Sequence, residues 1–184
     1  LPAPLNNWYI NHTANPRTGD VYALIGGQTG RWNRSSNTFT ANLGASGNAP
    51  IGAYTMSAFD TTRGRIYAQG GENSSHHIYT LSNNTWTAVT VTGANAGNVA
   101  NVMQGAMIYV PALDAYLVRA WPSGSTVYKI NASTFEATTL ATTGGASIPS
   151  TLNGPFNKFL YVPRLGGAVY VPDYDRNAWF LRLH

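Results

Sequence analysis

An aromatic residue followed seven positions later by a second one recurs along this chain, as Trp32 with Phe39, Tyr79 with Trp86 and Tyr128 with Phe135. The leading members stand 47 and 49 residues apart, and Trp179 follows Tyr128 after a further 51. A period of this length confines the chain to architectures that stack one supersecondary unit, because a single unit cannot bury its own apolar face. The nature of the unit follows from what precedes each pair. A β-type run stands there every time: Val21 to Ile25, Arg65 to Gln69, Ala115 to Ala120 and Ala168 to Val171. The first two runs end in the glycine doublets Gly26-Gly27 and Gly70-Gly71, and the later two do not.

One strand further upstream each unit carries another apolar run: Trp8 to Ile10, Tyr54 to Asp60, Met107 to Val110 and Phe159 to Val162. Three of these lead into tight reversals, at 60–64, 111–114 and 163–167, rich in the Pro, Gly and Asp that hairpins use. The first unit reads differently, with a longer loop from Asn11 to Asp20. Each unit therefore reads as four short antiparallel strands, the composition of a propeller blade. The fold class expected is all-β, with about three and a half to four such blades at approximately 5–45, 51–92, 102–143 and 156–184, in a single propeller spanning 1–184. The Ala-rich stretch Gly93 to Asn101 lacks an apolar stripe of helical period and reads as a loop.

The Gly26-Gly27 and Gly70-Gly71 doublets, with Tyr79 and Trp86 six residues between, resemble the kelch-type β-propeller family over nearly the whole chain. The resemblance implies fold more than function. In such blades the aromatics fill the wedge between neighbouring sheets, so packing accounts for Trp32, Phe39, Tyr79, Trp86, Tyr128, Phe135 and Trp179 without a ligand. Three and a half blades would leave a ring open. Either further blades lie outside this sequence, or two copies pair, or Leu1 to Asn7 supplies the last strand; Pro2 and Pro4, each lacking a ladder donor, weigh against the third arrangement.

Chemistry is narrowed by what the chain lacks. With no cysteine among 184 residues, thiolate nucleophiles, cysteine metal sites and the cysteine–tyrosine cross-link of copper radical oxidases are excluded. The net charge of +4 is spread over scattered arginines and lysines with no basic run, so no nucleic-acid partner is expected. No apolar stretch approaches the roughly 20 residues of a membrane helix, and no membrane partner is expected. His76 and His77 are adjacent, so on a strand they face opposite ways and cannot easily share one metal. No metal and no cofactor is expected, and no catalytic set is assigned.

The functional expectation is a non-enzymatic binding or assembly module of an extracellular or virion surface structure, contacting a glycan or a protein through one rim. Its further partners would be other propeller blades or a second copy of the chain. Strand polarity gathers the loops between the second and third strand of each blade on that rim. The residues there that packing does not require are Gln28, Arg31, Glu72, His76, His77, Trp121, Asp173 and Arg176. Trp121 stands where earlier blades have the glycine doublet, a departure from turn chemistry that marks it for function. The alternative is a carbohydrate-active enzyme, a glycoside hydrolase or lyase, using Glu72 or Asp173 together with residues on blades outside this sequence.

Overall fold

The computed structural model describes residues 11–25, 28–47, 49, 54–121, 126–143, 148–149, 151 and 154–183. The expected strand Trp8 to Ile10, the Gly26-Gly27 doublet and the segment Leu1 to Asn7 lie outside them. The fold is all-β, built of four antiparallel sheets of propeller-blade type. They fall into two compact units, Leu1–Thr90 and Val91–His184.

The first unit holds β1 (Asn11–Ala14), β2 (Val21–Ile25), β3 (Gln28–Asn33) and β4 (Thr38–Thr40), then β5 (Met56–Asp60), β6 (Arg65–Gln69), β7 (His76–Thr80) and β8 (Thr85–Ala88). The second unit holds β9 (Ala106–Val110), β10 (Ala115–Arg119), β11 (Val127–Asn131) and β12 (Ala137–Thr139), followed by β13 (Phe159–Val162), β14 (Gly167–Tyr170) and β15 (Trp179–Arg182). Every sheet is a meander in chain order. The first three have four strands, and the fourth has three among the described residues.

The hairpins expected from turn chemistry are present. Those joining the first two strands of the later blades each reverse at a residue in the left-handed region: Gly64, Asp114 and Gly166. The Asn11 to Asp20 loop is shorter than expected. Asn11 to Ala14 pair with Val21 to Leu24, although neither run of side chains alternates in polarity as a half-buried strand should. What fixes the strand is its neighbour, since the Ser57 hydroxyl hydrogen-bonds the Asn11 side-chain oxygen from β5. The Ala-rich stretch also departs from the reading above. Ala96–Ala100 form one helical turn, α1, held by Val99 buried at 0% exposure and by a bond from the Asn101 amide to the Gly97 carbonyl.

Each unit buries the wedge between its two sheets. In the first, Tyr22 and Leu24 of one sheet pack on Phe59, Ile66, Ala68, Tyr79 and Trp86 of the next. In the second, Leu117 and Val127 meet Phe159, Ala168 and Tyr170, with Trp179 packed at the margin. Tyr79 lies 5.1 Å from Trp86 and 6.3 Å from Tyr22, a continuous aromatic run whose pair geometry adds to simple area burial.

The linker leaving each of the first two blades is tied to the outer strand of the next. Ser46 bridges in parallel to Thr85, and the Trp86 amide donates to its carbonyl at 2.8 Å. Thr92 repeats the arrangement against Glu136, with the Ala137 amide donating at 2.8 Å. The residue after each tie is a glycine with positive φ, Gly47 at 79° and Gly93 at 89°, because a Cβ there would run into the Trp86 or Ala137 carbonyl oxygen.

Candidate functional site

In the first unit β3 and β7 carry the candidate side chains from one end of the sheets toward the middle. Alternation along β3 turns Thr29 and Arg31 to the face shared with Leu24 and Tyr22, their cross-strand partners. On β7 the same alternation turns His77 and Tyr79 toward that interface and His76 away from it. Arg31 and His77 therefore line one crevice between two sheets, both half-buried. Between them the Trp86 indole N–H donates to the buried Thr29 hydroxyl at 2.7 Å, and the His77 ring meets Trp86 edge-on at 6.5 Å.

Two nitrogens in this crevice, Arg31 Nε and His77 Nδ1, are shielded from water and have no hydrogen-bond partner among the described residues. Burial lowers the His77 pKa from its ordinary value, so the ring is neutral at pH 7. Burial raises the Tyr22 hydroxyl, partly opposed by a hydrogen bond from Arg31.

His76 occupies the opposite face of β7. Its ring stacks on Tyr67 with centroids 5.9 Å apart, and its Nδ1 lies 2.7 Å from the Tyr67 hydroxyl. The side chain is 6% exposed, and Nε2 is a third shielded nitrogen without a partner among the described residues. Burial, reinforced by neighbouring His77, brings its pKa down to about 4. Glu72 is exposed on the short 3-10 turn Gly71–Asn73 that precedes β7, and Gln28 is exposed at the start of β3.

The remaining candidates belong to the second unit. Trp121 follows β10, half-buried, with its indole N–H donating to the Thr151 carbonyl at 2.8 Å. Asp173 is ion-paired with Lys158 at 3.3 Å, and the same ammonium donates to the Pro172 carbonyl at 3.0 Å. Arg176 is exposed.

Sequence reasoning missed Arg119, which is 3% exposed at the end of β10 with its guanidinium 4.9 Å over the Tyr170 ring and one N–H on the Thr126 carbonyl. Burial lowers its pKa and raises that of Tyr170. The signal was available, since Arg119 shares the strand face of Ala115 and Leu117, where a charge needs a dedicated partner. Among the described residues no group of three His, Asp or Glu side chains could hold a metal, and no helix is long and apolar enough to cross a membrane.

No known family model matches the chain, and no curated protein matches it. Solved structures do. Hydrazine synthase of Kuenenia stuttgartiensis superposes with a TM-score of 0.58 at 12% identity, over 93% of this chain and 45% of that one. An auxiliary nutrient binding protein from Bacteroides ovatus gives 0.58 at 12% identity, over 93% and 44%. A Bacteroides thetaiotaomicron protein of unknown function gives 0.57 at 14%, over 86% and 43%. At such identities the likeness concerns the fold alone, and this chain spans less than half the length of each structure.

Proposed function

We propose that the chain is a kelch-type propeller binding module that holds a glycan or a protein at an extracellular or virion surface. One observation carries the reading. Four buried side-chain polar atoms lack a hydrogen-bond partner among the described residues, and three of them belong to Arg31, His76 and His77. All three residues stand on β3 and β7, and each was singled out by sequence as unnecessary for packing. Native folds satisfy nearly all buried polar atoms, so a concentration of unsatisfied ones on two adjoining strands fits a surface completed by something it binds. The fold likeness to a nutrient binding protein is in keeping with this.

Incubating the protein with a panel of polysaccharides and proteinaceous surface extracts, with binding and product release both measured, tests the proposal. Retention without turnover is the expected result. Release of oligosaccharides that disappears in Glu72→Ala or Asp173→Ala would replace it with an enzymatic role.

A further inference from the structure

We propose that the crevice between the first two sheets, at Arg31 and His77, receives a vicinal pair of hydroxyl groups from a neutral glycan. This rests on the binding reading above and specifies its ligand.

The argument begins with the two shielded nitrogens. Arg31 Nε–H can only donate, whereas His77 Nδ1 accepts in one neutral tautomer and donates in the other. The group that completes both positions must therefore accept from the arginine and meet either histidine tautomer. A hydroxyl does so, since it donates one hydrogen bond and accepts two. A carboxylate offers acceptors alone and fits only one of the tautomers. Burial keeps the imidazole uncharged, which removes the second positive charge an anionic ligand would use.

The spacing asks for two oxygens rather than one. Arg31 is level with Tyr22 across the β2–β3 ladder, and Thr29, which meets Trp86 beside His77, lies two residues nearer the end of the strand. Two residues along a strand is about 6.6 Å, a span that one hydroxyl oxygen cannot bridge but adjacent hydroxyls on a sugar ring reach with hydrogen bonds at both ends. Both side chains are half-buried, so the crevice opens to solvent at its lip while the nitrogens themselves are shielded. Trp86 is 4% exposed, which makes it the floor of the crevice and not a stacking platform.

Isothermal titration with neutral manno-, gluco- and galacto-oligosaccharides, and with galacturonate oligomers as the acidic control, tests the inference. Arg31→Met and His77→Phe are each expected to weaken binding of a neutral oligosaccharide about tenfold, the loss of one well-made hydrogen bond. His77→Gln, whose amide keeps both a donor and an acceptor, is expected to retain most of the affinity. The His77 imidazole nitrogen resonances should move on titration, a response that a purely structural histidine would not give. This spectrum, with Arg31→Lys and His77→Gln, decides the matter if the larger substitutions disturb folding.

Neutral oligosaccharides that bind equally well to every variant would show that ordered water completes the crevice and would overturn the inference while leaving the binding role intact. Arg31-dependent binding of galacturonate oligomers alone would overturn the neutral ligand class. Failure of the wild-type protein to bind any oligosaccharide would overturn both the inference and the glycan half of the proposed function.

Discussion

His76 is neutral in the fold because its ring is enclosed between β7 and Tyr67, and this ties stability to pH. Its folded pKa, about 4, lies below the unfolded 6.5, so the unfolded chain binds the proton more tightly. The contribution is complete above pH 6.5 and is lost as pH falls through the interval down to about 4, by on the order of 3 kcal/mol. Urea midpoints measured from pH 7 to 4 should fall, and His76→Gln should flatten that dependence. Trp121 supplies a second residue-scale expectation. Its N–H is committed to the Thr151 carbonyl, so Trp121→Phe should lower stability by about 1 kcal/mol, read as a fall of about 2–4 °C in Tm. An unchanged melting curve would mean that the bond carries no weight in the fold and would leave the indole to a ligand. At this scale the sequence was only half informative. Residue type marked Arg31, His76 and His77, but which face each takes depends on strand register, and the Arg119–Tyr170 contact depends on two strands more than fifty residues apart.

The elements show where the repeat was legible and where it was not. Trp32 faces Phe39 and Tyr79 faces Trp86 across their hairpins, as the spacing required. In the third blade the pair that faces across is Ile130 with Ala137, and Tyr128 faces Thr139 instead. The reason is conformational. The connecting turn places its left-handed residue two positions before the second member of the pair, at Asn37, Asn84 and Phe135. Phe135 is thus a turn residue, and the aromatic spacing there is two positions out of phase with the backbone. The fourth blade is shifted likewise, since Leu181 opposite Ala168 corresponds to Ile130 opposite Tyr116. Strand order, hairpins and the apolar wedge could be read from pattern. Phase could not, because burial selects apolar volume and Ile130 at 0% exposure supplies it as well as an aromatic does. The linker ties were invisible for a similar reason, being made of backbone groups. Gly93→Ala tests one of them. A Cβ would sit 2.7 Å from the Ala137 carbonyl oxygen at a φ of 89°, and a loss of about 2 kcal/mol or more is expected in chemical denaturation. Gly64→Ala, in the same left-handed region but with nothing within 4 Å, should lose about 1 kcal/mol and calibrates the conformational part.

For the molecule as a whole, circular dichroism should report β structure with helix limited to the single turn of α1, and a helical signal beyond that would contradict the four-sheet fold. Association is the second expectation at this scale. The β15 edge of the fourth sheet has no strand beyond it among the described residues, and Phe180 on that strand is 45% exposed. Open edges template pairing with another chain, so sedimentation velocity should show concentration-dependent association. A monomer at every concentration would mean that this edge is covered. The linker ties finally change what counts as one module of such a protein. Ser46 belongs by sequence to the stretch after the first blade, yet its bonds are to the outer strand of the second, and Thr92 stands in the same relation to the third. A graft cut in the middle of a linker would separate a blade from the residues that clasp it. The transplantable cassette begins just after Thr40 or Ala88, carries its linker at the front, and closes with its own outer strand, so exchanges between related chains should succeed at those joints and fail a few residues downstream.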